Sequence, residues 1–97
     1  VNLNRDGQAA VVALLRGLGF DVTVFSTNRR SRIRPGFPDI FAMHYRLPGL
    51  LWESKVKGGK LSPRQAAFAA LCEQYEMPYG WGGYAEAEQF LKDWGVL

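Results

Sequence analysis

Leu50-Leu51-Trp52-Glu53-Ser54-Lys55-Val56-Lys57 is the stretch that organises the chain. It reads as a β-strand, in which side chains alternate with a period of two. Leu50, Trp52 and Val56 fall on one side with Ser54, and Leu51, Glu53, Lys55 and Lys57 fall on the other. A carboxylate and an ammonium two residues apart then project from one face, roughly 6–7 Å from each other along the strand. The plain reading of such a face is a solvated surface with an ion pair worth about 0–1 kcal/mol. Its neighbours in sequence argue for chemistry instead.

Working outward, Asp39 to Tyr45 reads as a preceding strand, and Leu47-Pro48-Gly49-Leu50 as a type II turn that makes the two a hairpin. Phe20 to Ser26, with Val22, Thr23 and Val24, suggests a first strand. Asn28 to Gly36 has no periodicity, holds Arg29, Arg30, Arg32 and Arg34, ends in Pro35-Gly36 and reads as a loop. Asn4 to Leu18 carries an apolar stripe of helical spacing with Asn4 or Asp6 as N-cap and Gly19 as a stop. Ser62-Pro63-Arg64-Gln65 is a helix start with Ser at the N-cap and Pro at the first helical position, and the helix runs on until Pro78 closes it. Pro78 to Gly82 suggests a short fourth strand. Ala87, Phe90, Leu91 and Trp94 give a last helix over Glu86 to Trp94.

The 97 residues fit one domain spanning residues 1–97. No apolar run approaches a membrane span, and Val1 to Asp6 do not resemble a signal peptide, which favours the cytoplasm, nucleoid-associated or in a phage-infected host. One cysteine and one histidine exclude an internal disulfide and a structural zinc site. The net charge of +3 is modest, but eight of the twelve Lys and Arg lie between Arg29 and Lys60. Phosphate is the natural partner of such a segment, and Arg29, Arg30, Arg32, Arg34, Lys57 and Lys60 are candidate DNA contacts.

The chemistry concentrates in Gly36-Phe37-Pro38-Asp39, Trp52-Glu53-Ser54-Lys55 and Gly59-Lys60-Leu61-Ser62-Pro63-Arg64-Gln65. Two carboxylates from neighbouring strands, with the Ser54 backbone carbonyl, suit a hard cation such as Mg²⁺ or Mn²⁺. A lysine beside them can hold water or offset charge on phosphorus.

Together with Gln8-Ala9-Ala10-Val11-Val12, these motifs resemble the virus-type replication and repair nuclease (VRR-NUC) branch of the PD-(D/E)xK nuclease superfamily, over nearly the whole chain. The resemblance implies a restriction-endonuclease-like α/β fold: a mixed β-sheet core flanked by helices in the order α-β-β-β-α-β-α. It implies a divalent-metal-dependent DNA endonuclease acting on branched or four-way junction DNA, as a homodimer and without a membrane. Asp39 and Glu53 would be metal ligands with the Ser54 carbonyl, Lys55 the catalytic lysine, and Gln65 a supporting active-site residue. Gln65 also fits a capping box with Ser62. Where the family places a first-helix glutamate this chain has Asn4, with Asp6 and Gln8 nearby, so a DNA-binding module without activity is the alternative, as is a nuclease of another branch acting on duplex or ends.

The hairpin sets a condition. A two-residue loop at Pro48-Gly49 pairs Ala42 with Lys55 and leaves Asp39 opposite Gly58, about 10 Å along the strand from Lys55. A shared site requires a bulge or a different register.

Overall fold

The computed structural model describes residues 7–97, so the expectations for Asn4 and Asp6 lie outside the described residues. The elements are α1 (Gln8–Gly17), β1 (Asp21–Val24), α2 (Thr27–Ile33), β2 (Ile40–His44), β3 (Leu47–Ser54), α3 (Pro63–Gln74), β4 (Tyr79–Gly82) and α4 (Tyr84–Asp93). The strands form one mixed sheet in the order β1-β2-β3-β4. The first two pairings are antiparallel, and α3 carries the chain across to a parallel β4. The result is an α/β domain with a four-stranded mixed sheet flanked by helices. No helix among the described residues is long and apolar enough to cross a membrane.

Two expectations are corrected. The arginine-rich segment contains a helix, α2, so the order gains an element over the expected α-β-β-β-α-β-α. Ser26 caps it, its hydroxyl accepting the Arg29 N–H at 3.2 Å. A seven-residue helix has little intrinsic stability. What holds it is a tertiary contact from Arg30, described below, which periodicity cannot reveal.

The hairpin turn, in turn, is Tyr45-Arg46 rather than Pro48-Gly49, and both of the latter lie within β3. The cause is burial. Leu47, Leu50 and Trp52 are all sequestered in the same core, yet strict alternation sends residues 47 and 50 to opposite faces. The irregularity between the Ala42–Leu50 and His44–Leu47 pairs resolves the conflict, and Pro48, which has no N–H for the ladder, sits inside it.

Ile40, Ala42, Leu50 and Trp52 pack with Val11 and Leu15 of α1 and Ala87 and Leu91 of α4. The opposite face carries a row of rings, Phe25–Phe37–Phe68–Tyr79, with successive centroids 5.5, 5.4 and 6.3 Å apart, and this row joins the sheet to α3. Leu51 and Glu53 therefore point into a covered layer rather than into solvent, and both are buried. The strand ends at Ser54, so Lys55 and Lys57 lie just past it, although the Lys55 N–H still bonds the Gly82 carbonyl at 3.0 Å.

Trp52 fixes the β3–β4 seam. Its indole N–H donates to the Gly82 carbonyl at 3.1 Å, and its ring meets Phe90 edge-on. A Cβ on Gly80 would come within 2.2 Å of the Trp52 ring. Gly80→Ala is therefore expected to lower stability by about 1–3 kcal/mol through overpacking. Gly17→Ala, where a Cβ meets nothing within 4 Å, should be neutral or stabilising by up to about 1 kcal/mol. Denaturant titrations of the two variants check the contrast.

Candidate functional site

The site begins at the loop Gly36-Phe37-Pro38-Asp39. Gly36 has φ +81°, and a Cβ there would lie 2.3 Å from the Arg64 carbonyl oxygen, so only glycine lets this loop lean on the first turn of α3. Pro38 is fully buried, and the Phe25 N–H bonds the Asp39 carbonyl at 2.8 Å. These contacts set the Asp39 side chain before any partner is counted.

The bulged register places Asp39 one residue beyond the Ile40–Trp52 pair, level with Glu53, and not opposite Gly58. Asp39 and Glu53 are 4% and 3% exposed, and each is fully engaged. Asp39 Oδ1 accepts the Ser54 backbone N–H at 2.8 Å; Oδ2 accepts the Gln8 amide at 2.8 Å and the Ser54 hydroxyl. Both Glu53 oxygens accept from Arg30 Nη1, at 3.0 and 3.2 Å. The same nitrogen lies 3.4 Å from the Phe37 carbonyl, which ties α2 to the loop.

Burial raises the Glu53 pKa above the usual carboxylate value, and the adjacent Asp39 charge raises it further. Arg30 and Lys55 pull the other way without cancelling the shift. Tyr79, on the covered face, is raised by burial and then by Glu53, and its hydroxyl is buried without a partner among the described residues.

The expected cation site is corrected by this donor set. Among the described residues no group of three or more His, Cys, Asp or Glu stands where a metal ion could be held. Asp39 and Glu53 are the two carboxylates present, Arg30 takes both oxygens of one, and Ser54 spends its N–H and hydroxyl on the other. Arg30 takes the Glu53 oxygens that Mg²⁺ or Mn²⁺ would need, and with no third ligand group beside them among the described residues the metal-ligand roles of Asp39, Glu53 and the Ser54 carbonyl are withdrawn.

Lys55 is half-buried, and among the described residues it forms no ion pair. Gln65 is in the capping box: its side-chain oxygen accepts the Ser62 N–H at 2.8 Å, and its own N–H donates to the Ser62 hydroxyl. Arg29, Arg32 and Arg34 are exposed on and just after α2, and Lys57 and Lys60 are exposed between β3 and α3. Arg30 alone of the arginine cluster turns inward. Sequence reasoning missed that role because it read the segment as a loop; a Ser26 cap followed by Arg30 one turn on was the available signal. Gln8, noted in the sequence only as lying near Asn4, reaches Asp39 directly through its amide. His44 behaves as an ordinary strand residue, its Nδ1 accepting the Arg46 N–H in the turn.

No protein-family model matches the chain, and no curated protein or solved structure is found similar to it.

Because the folded-state pKa of Glu53 lies above its unfolded value of about 4.5, the fold holds that proton more tightly than the unfolded chain does. This contribution to stability is complete below pH 4.5 and is lost as pH rises through the folded pKa. Glu53→Gln is expected to shrink the fall in stability between pH 4.5 and pH 7, as read by denaturation midpoints of wild type and variant at the two values.

Proposed function

We propose that the protein acts on DNA phosphodiester bonds as a structure-specific endonuclease of the PD-(D/E)xK kind, with branched or four-way junction DNA as substrate. The observation that carries the reading is the bulged β2–β3 register, which sets Asp39 level with Glu53, with Lys55 two residues further along the chain. A chance pair of short motifs has no reason to need that correction of register. The spacing of Gly36-Phe37-Pro38-Asp39, Glu53-Ser54-Lys55 and Ser62-Pro63-Arg64-Gln65 supports the same family likeness.

In this reading the chain's own groups divide the work. The substrate phosphate draws Arg30 off Glu53, and the freed carboxylate, whose proton affinity is raised by burial and by Asp39, accepts the proton of the attacking water. Lys55 and Arg30 offset the charge that develops on the phosphorane oxygens. The bond from phosphorus to the leaving deoxyribose oxygen breaks, and that oxygen takes up a proton from Lys55. Asp39 is a positioning residue: through the Ser54 N–H and hydroxyl it fixes the backbone between Glu53 and Lys55. Cutting a junction symmetrically takes two such sites, so the active species is a homodimer.

A second reading has its own observation. Arg30 holds both oxygens of Glu53, and a site neutralised from within suits a DNA-binding module that does not cut. Labelled four-way junction, flap and linear duplex, each incubated with the protein with and without chelator, separate the two. The nuclease reading expects junction cleavage, with Lys55→Ala slowing it about 100-fold or more while binding persists. Junction binding without cleavage under every condition favours the binding module, and cleavage unchanged in Lys55→Ala removes the mechanism built on that lysine.

A further inference from the structure

Between the end of α2 and the first turn of α3 lies a cleft of about 230 Å³. Its lining includes Arg30, Arg34 and Arg64 with Ser62 and Gln65, and no carboxylate. Arg30–Glu53 is the one ion pair among the described residues, so Arg34 and Arg64 bring two uncompensated guanidinium groups to one small concavity. The capping box uses the Ser62 and Gln65 N–H groups and Pro63 has none, so the first turn of α3 adds little to the two guanidinium groups. Charge in the cleft comes from side chains. An oxyanion with several acceptor oxygens is the complementary ligand.

Next to the cleft, and sharing Arg34, Pro35 and Arg64 with it, is a second hollow of about 300 Å³ whose remaining wall is Ala67, Phe68 and Leu71. The Arg34 guanidinium sits 5.3 Å from the centre of the Phe68 ring, so it is braced over an apolar shelf. A charged cleft opening onto an apolar shelf matches the two parts of a nucleotide: a phosphate, and the sugar or base beside it.

We propose that Arg34 and Arg64 form a phosphate-binding subsite, with the Ala67–Phe68–Leu71 shelf receiving the adjoining deoxyribose or base. Arg30 lines the cleft and also binds Glu53, so the bound phosphate lies one side chain away from the carboxylate pair. The subsite deepens the proposed action on DNA and rests on it for the identity of the strand. Arg64, between Pro63 and Gln65, thereby acquires a role in holding substrate.

The test uses inorganic phosphate first. In the full chain, the Nε–Hε resonances of Arg34 and Arg64 should shift saturably as phosphate is titrated at constant ionic strength, and Arg64→Gln should weaken that binding several-fold. Arg34→Gln is the second variant and should do the same, whereas Lys92→Gln on α4 should not. No saturable shift, or binding unaffected by Arg64→Gln and Arg34→Gln, overturns the subsite. With duplex oligonucleotides, each variant should lower the slope of log K against log salt by about 0.9, the value of one lost phosphate contact. Equal affinity for 5′-phosphorylated and 5′-hydroxyl oligonucleotides assigns an internal phosphodiester to the cleft, and a preference for the former assigns a terminal phosphate; either supports the subsite. Phosphate binding without DNA cleavage keeps the subsite and removes the nuclease reading. Cleavage with phosphate binding unchanged by the variants does the reverse.

Discussion

Leu47, Leu50 and Trp52 bury their side chains in one core, and an alternating strand can satisfy all three only by slipping its register between residues 47 and 50. Most of the site depends on that slip. With the turn at Tyr45-Arg46 an unbroken ladder would set Asp39 opposite Trp52, and the one-residue slip carries it level with Glu53. With the turn at Pro48-Gly49 the two carboxylates would be several residues apart, and the Ser54 N–H would have no Asp39 to meet. A packing demand at one end of the hairpin thus sets polar geometry at the other.

Two carboxylates buried side by side are costly unless each is compensated. The chain compensates them differently. Asp39 receives neutral donors from Ser54 and Gln8, whereas Glu53 receives a cation, Arg30, delivered by a helix too short to stand alone. Arg30 explains both why α2 forms and why Glu53 tolerates burial beside Asp39. The same contact leaves Arg34 at the end of α2, beside α3, so the helix that neutralises Glu53 also presents a guanidinium to the neighbouring cleft.

Much of this was legible in the residues. Helices α3 and α4, the four strands and the Ser62–Gln65 capping box follow from period, proline placement and cap chemistry, and Asp39, Glu53 and Lys55 stood out by spacing. The rest depended on contacts distant in sequence. Pro48-Gly49 carries the local signature of a turn, and only the burial of Leu47 overrides it. The arginine segment has no apolar stripe, so a helix held by one ion pair 23 residues away left no periodic trace. The cation expected between Asp39 and Glu53 followed from the right two carboxylates but could not anticipate that Arg30 takes both oxygens of one of them.

If the protein works on DNA as proposed, the strand lies on the face bearing Glu53, Lys55 and the arginine cleft. A crystal structure of the Lys55→Ala variant bound to four-way junction DNA measures this most directly. One backbone phosphate is expected beside Glu53 and another within hydrogen-bond reach, about 3 Å, of Arg34 and Arg64. DNA seated elsewhere, with the Arg30–Glu53 pair and the cleft untouched, would contradict it.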